Sequence, residues 1–129
     1  MKQHIAQIAL VVYDYDEAIK YYIEKLGFHL VEDTVLSDTK RWVVVAPKGA
    51  DGCKLLLAKA VNGKQKSRIG NQTGGRVFLF LHTDDFWRDY KQMQANGIEF
   101  LREPVEESWG IATVFQDLYG NTWDLVQPK

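Results

Sequence analysis

The feature that most constrains this chain is an internal repeat, because two copies of one pattern must fold as two copies of one unit. The segment ALVVYDYDEAIKYYIEKLGFHLVED begins at Ala9, and FLFLHTDDFWRDYKQMQANGIEFLRE begins at Phe78. Asp14 matches Asp85 at a spacing of 71, and Gly27 matches Gly97 at a spacing of 70. Each copy reads as strand, acid-rich turn, helix, glycine, strand.

Local chemistry supports each step. Ile5 to Val12 is β-branched and apolar, which predicts a buried strand. Asp14 has the chemistry of a helix cap, and Glu17 stands three residues on, as in a capping box. Ala18, Tyr22 and Leu26 form a helical stripe, and Gly27 supplies the left-handed residue that ends the helix. In the second copy Asp85 is the cap, Phe86, Tyr90 and Met93 form the stripe, and Gly97 closes it. Strands are expected at Arg41 to Ala46, Cys53 to Ala58, Ile111 to Gln116 and Asn121 to Gln127. The fold class is therefore α+β, two βαβββ modules with about eight strands and two main helices. Lys59 to Gly75, rich in Lys, Gln, Asn and Gly, reads as a loop or partly helical crossover, too short for a domain linker. The expected organisation is one domain over residues 1–129, with modules at about 5–58 and 76–127.

Composition removes several function classes. A net charge of −1 and a pI near 6.3 do not fit a nucleic-acid binder, which needs a basic face. No apolar run approaches the ~18 residues of a membrane span. The amino terminus lacks the apolar stretch of an export signal, and the one cysteine, Cys53, forms no internal disulfide. A cytoplasmic protein without membrane or nucleic-acid partners is expected.

The repeat, with the closing run Asp117-Leu118-Tyr119-Gly120-Asn121-Thr122-Trp123-Asp124-Leu125, resembles the vicinal oxygen chelate superfamily of glyoxalases, bleomycin-resistance proteins and extradiol dioxygenases. The resemblance runs from about Ile5 to Val126. It implies a curled mixed sheet with a cleft, usually completed by homodimerisation. In metal-using relatives the ligands lie near the first and last strands of each module. By position these fall on Gln7, on Lys54 or Leu56, on Phe78 and on Asp124. Gln7 and Asp124 offer oxygen; Phe78 and Leu56 offer no donor, and Lys54 repels a cation. Two oxygen donors without imidazole make a poor transition-metal site. No cofactor is therefore expected, and a divalent metal is not favoured.

Two readings of function follow from the resemblance. One is a small-molecule-binding protein with a metal-free cleft. The other is a glyoxalase-like lyase, isomerase or dioxygenase with an atypical site around Gln7, His82 and Asp124. Histidine is the residue type that most often serves as a general acid or base, and His82 is read as one; equally, it is a polar residue ending a strand. Asp124 follows Trp123 in an apolar run, so its carboxylate either serves a ligand or proton transfer, or hydrogen-bonds Gln7 on a neighbouring strand. The candidate catalytic residues are His82 and Asp124. The candidate ligand-binding residues are Gln7, Trp42, Phe78, Trp109 and Asp124, since indole and phenyl walls suit a flat organic ligand. Trp87 and Trp123 read as packing residues.

Other clusters have simpler explanations. Asp14, Asp16, Glu17, Asp84 and Asp85 stand at helix starts, where unsatisfied N–H groups favour acids. Gly70 to Gly75 lacks the Lys-Ser/Thr of a phosphate loop and precedes a strand, not a helix. Cys53, expected in a buried strand, is not a nucleophile.

Overall fold

The computed structural model describes residues 1–49 and 51–129. They separate into two compact units, Met1–Ile69 and Gly70–Lys129, each with a sheet of its own: the first follows the βαβββ plan, and the second adds one short strand to it.

In the first unit, β1 (Gln7–Val12) leads into α1 (Tyr15–Lys20), which continues as a π-helical turn over Tyr21–Lys25. The strands β2 (His29–Val35), β3 (Arg41–Ala46) and β4 (Lys54–Lys59) follow, then the short α2 (Gly63–Lys66). The sheet order is β1-β4-β3-β2, with β1 parallel to β4 and the other pairs antiparallel. The helix begins as its sequence dictates: the Asp14 carboxylate accepts the Glu17 N–H at 2.8 Å, satisfying one of the first-turn donors that have no helical partner. Gly27, at φ 83°, ends it. Ala18, Tyr22 and Leu26 are buried as the stripe requires. Leu10, Val12, Val43, Val45, Leu55 and Leu57 belong to the same core.

One cation ties three elements together at the surface. The Arg41 guanidinium donates to Asp33 at 2.7 Å and to Asp16 at 2.9 Å, and lies 5.2 Å from the centre of the Tyr15 ring. Hydrogen bonding from Arg41 holds the Asp33 carboxyl below its ordinary range.

The second unit repeats the plan with β5 (Leu79–His82), α3 (Phe86–Ala95), β6 (Glu99–Phe100), β7 (Val105–Glu107), β8 (Gly110–Gln116) and β9 (Thr122–Pro128). The order is β5-β9-β8-β6, with β7 also pairing β8. Asp85 caps α3 by accepting the Arg88 N–H at 3.2 Å, and the Phe86 N–H donates to the Gln127 side chain at 2.7 Å. Phe86, Met93, Phe115, Trp123 and Leu125 are buried. Phe115 stacks on Trp123 with centroids 5.7 Å apart and planes at 15°.

The structure adjusts four expectations. The described strands number nine; β7 has only three residues behind Pro104, too few to show an alternation. β1 starts at Gln7, and Ile5 is 71% exposed. Nor is β1 buried on both faces: Ala9 is exposed between buried or half-buried neighbours. Its helix covers one face of its unit's sheet, which yields the alternation of a half-wet strand. Cys53 is an exposed thiol just before β4, not a buried strand residue.

Candidate functional site

In the second unit, α3 lies on one face of the sheet and leaves the other to be read from strand parity. Trp123, Leu125, Thr113 and Phe115 are buried and share the helix side through the pairs Thr113 with Leu125 and Phe115 with Trp123. Asp124 has the opposite parity. It pairs with Phe80 on β5 and with Val114 on β8, and the Leu101 N–H bonds the Val114 carbonyl at 2.8 Å. Leu101, Val114, Asp124 and Phe80 therefore form one row across the sheet. Phe80 is 64% exposed and Leu101 46%. On one side of the row Gln116 donates to Glu99 at 2.7 Å. On the other, His82 pairs with Val126 beside buried Ala112.

This row puts a half-buried carboxylate between apolar neighbours. Among the described residues no ion pair reaches Asp124. Burial raises its pKa, and the nearby charge of Arg102 offsets part of that. The sign of the linkage follows: with the folded pKa above the unfolded one, ionising Asp124 costs stability as pH rises through that interval. Asp124→Asn is therefore expected to melt at or above wild type at pH 7, with the difference shrinking as the pH is lowered toward the ordinary carboxylate range. Paired melting curves across that range check it. A variant less stable at pH 7 would mean that the carboxylate has a structural partner.

The other nominated residues are dispersed. His82 ends β5, exposed, on the Asp124 face. It lies diagonally from Asp124, roughly 7 Å away along the backbone by sheet geometry, close enough for the two side chains to approach each other. Phe78, just before β5, is half-buried; its ring meets Trp123 edge-on with centroids 6.3 Å apart. Trp109 stands in the turn before β8, 54% exposed, and its carbonyl accepts the Lys129 N–H. Trp87, expected to pack, is 48% exposed on α3, and Trp123 is buried as expected.

In the first unit Gln7 lies on the face away from the core residues Leu10 and Val12, and its partner across the parallel ladder is Lys54. Leu56 shares that parity beside Ala9. Trp42, half-buried and paired with Thr34, shares the face at its far end. The hydrogen bond expected between Asp124 and Gln7 on a neighbouring strand has no strand to cross, because β9 already has β5 and β8 on its two edges. These donors do not fit a divalent cation. Gln7 pairs across the ladder with Lys54, a residue that supplies no cation ligand at neutral pH, Phe80 pairs with Asp124, and the described residues hold no group of three His, Cys, Asp or Glu placed to share an ion.

Strand parity alone groups Phe80 with Phe78 and His82 on one face, whereas Leu101 and Val114 were not legible as their neighbours. Phe78-Leu79-Phe80-Leu81 is apolar at both parities, so period 2 could not tell the face under α3 from the open one.

The model of the Glyoxalase/Bleomycin resistance protein/Dioxygenase superfamily matches residues 4–125. The chain belongs to this superfamily. A protein from Shewanella frigidimarina (strain NCIMB 400) is 61% identical over 128 residues, covering 98% of this chain and 95% of its own length. Among solved structures, UcmS2 matches with a TM-score of 0.84 at 27% identity, covering 98% of each chain. TnmS3, an antibiotic binding protein from Streptomyces sp. CB03234, matches with a TM-score of 0.79 at 31% identity, covering 99% of this chain and 98% of its own. The superfamily spans binding proteins and enzymes on one scaffold, so activity has to be argued from the site. No helix among the described residues is long and apolar enough to cross a membrane.

Proposed function

We propose that this superfamily member is a cytoplasmic, homodimeric small-molecule-binding protein that holds an organic ligand, without a metal, on the open face of its second sheet. The observation that carries the reading is the row Leu101, Val114, Asp124, Phe80: exposed apolar side chains at both ends and a single desolvated carboxylate between them. Binding sites combine apolar walls with a few placed polar groups in this way. Binding is the reading taken because the row itself is apolar apart from Asp124, which suits holding a ligand. The likeness to an antibiotic binding protein supports the same class of ligand. An exposed, unpaired thiol at Cys53 suits a reducing compartment.

The test is a thermal-shift screen of planar organic compounds against wild type, Phe80→Ala and Trp87→Ala at equal protein concentration. Compounds at a hundred times their Kd stabilise by about 2.7 kcal/mol, a shift easily read. We expect Phe80→Ala to lose the shift and Trp87→Ala, on the helix side, to keep it. Hits that stabilise all three proteins equally would place binding elsewhere.

Dimerisation is supported by β2, an edge strand exposed at every residue and carrying Leu30, Val31 and Val35. Such an edge is usually covered. Sedimentation at micromolar concentration is expected to show a species of twice the 14.8 kDa chain mass; a monomer alone would refute it.

A further inference from the structure

We propose that the ligand of this face is a flat aromatic molecule carrying a protonated amine, its ammonium on the Asp124 carboxylate and its rings against Phe80. The inference rests on the binding reading above and adds the charge and shape of what is bound.

Asp124 and Phe80 are directly paired across the parallel ladder of β5 and β9, and neighbouring strands lie ~4.8 Å apart. A ligand whose ammonium is one or two bonds from an aromatic ring spans that interval, with nitrogen at the carboxylate and ring at the phenyl. On the other side of Asp124, Val114 and Leu101 extend the apolar floor, so the flat body has contact in both directions.

Charge complementarity selects the ammonium. The Asp124 carboxylate accepts only, and no side-chain ion pair among the described residues satisfies it. Any donor to the carboxylate makes a charge-assisted hydrogen bond, and an ammonium adds a Coulomb attraction that a neutral donor lacks. The surrounding charges are Glu99 and Arg102. Glu99 is engaged by Gln116 at 2.7 Å and adds negative potential. Arg102 attracts Asp124 but makes no ion pair with it. His82 lies diagonally on β5. Arg102 makes an anionic ligand the informative competitor, since such a ligand would choose the guanidinium.

The experiment uses the full chain and three fluorescent probes: anthracene bearing an aminomethyl, a hydroxymethyl or a carboxylate group at the same ring position. Each is titrated at pH 7 and low salt against wild type, Asp124→Asn, Phe80→Ala and Trp87→Ala, with sedimentation run on every variant. The expected result is binding of the amine about tenfold tighter than the alcohol, a difference of about 1.4 kcal/mol. That preference should collapse to roughly twofold or less in Asp124→Asn, weaken with added salt and survive Trp87→Ala. Equal binding of amine and alcohol, both lost in Phe80→Ala, overturns the charge assignment and leaves the binding face standing. So does tightest binding by the carboxylate, or an amine preference that persists in Asp124→Asn. If no probe binds, or if Phe80→Ala turns a dimer into a monomer without altering binding, the face is covered by something other than a small molecule. Both the inference and the reading beneath it then fall.

Discussion

Asp117→Ala is expected to lose about 3 kcal/mol of stability, a fall in Tm on the order of 10 °C for a chain of this size. Asp117 is 4% exposed, and its two carboxylate oxygens accept three hydrogen bonds. One oxygen takes the N–H groups of Tyr119 and Asn121, each at 2.9 Å. The other takes the Asn121 side-chain amide, also at 2.9 Å. Truncation strands these donors where water reaches poorly, and a buried unsatisfied donor costs about 1–3 kcal/mol. The same turn is closed by the Asp117 N–H donating to the Asn121 carbonyl at 2.9 Å. Asp117→Asn keeps the volume but turns one accepting oxygen into a donor, so about half the loss is expected. Urea denaturation of the three proteins checks the order. An alanine variant within about 0.5 kcal/mol of wild type would show that the turn holds itself without the carboxylate.

Gly70→Ala should be at least as damaging, by a different route. Gly70 has φ 77°, a left-handed conformation that costs an L-residue about 1–2 kcal/mol. A Cβ there would also overlap the carbonyl oxygen of Tyr119. That oxygen belongs to the turn Asp117 organises and is backbone, so it cannot swing aside as a flexible side chain would. A loss above about 3 kcal/mol is expected. Because both substitutions strike one turn, their effects should add to less than their sum, with a coupling of about 0.5–3 kcal/mol. Full additivity in a double-mutant cycle would mean that Gly70 and the Asp117 turn are independent. Gly74, at φ 71° with open space around its missing Cβ, supplies the control, where only the conformational cost applies.

These two positions explain why the closing run identifies the fold more securely than any activity. Asp117, Gly120 and Asn121 are a device of backbone geometry: an acceptor for three donors, a residue at φ 99° and an amide that completes the set. Asp124, three residues past the turn, lies on the open face together with Thr122, which shares its parity.

What the sequence determined by itself was the repeat and the local chemistry that expresses it. Asp14 and Asp85 are caps, Gly27 and Gly97 are stops, and Ala18 and Tyr22 are one buried stripe, because each depends on contacts within a few residues. The βαβββ plan of both units followed from that. Tertiary structure decided the site, since a site depends on which strands become neighbours. The β5-β9-β8 order set Asp124 between Phe80 and Val114. It also decided which parity of an all-apolar strand faces α3 and which stays open. That choice is tied to the pairing of β5 with β9, whose residues lie more than forty positions further along the chain, where local propensity carries no information.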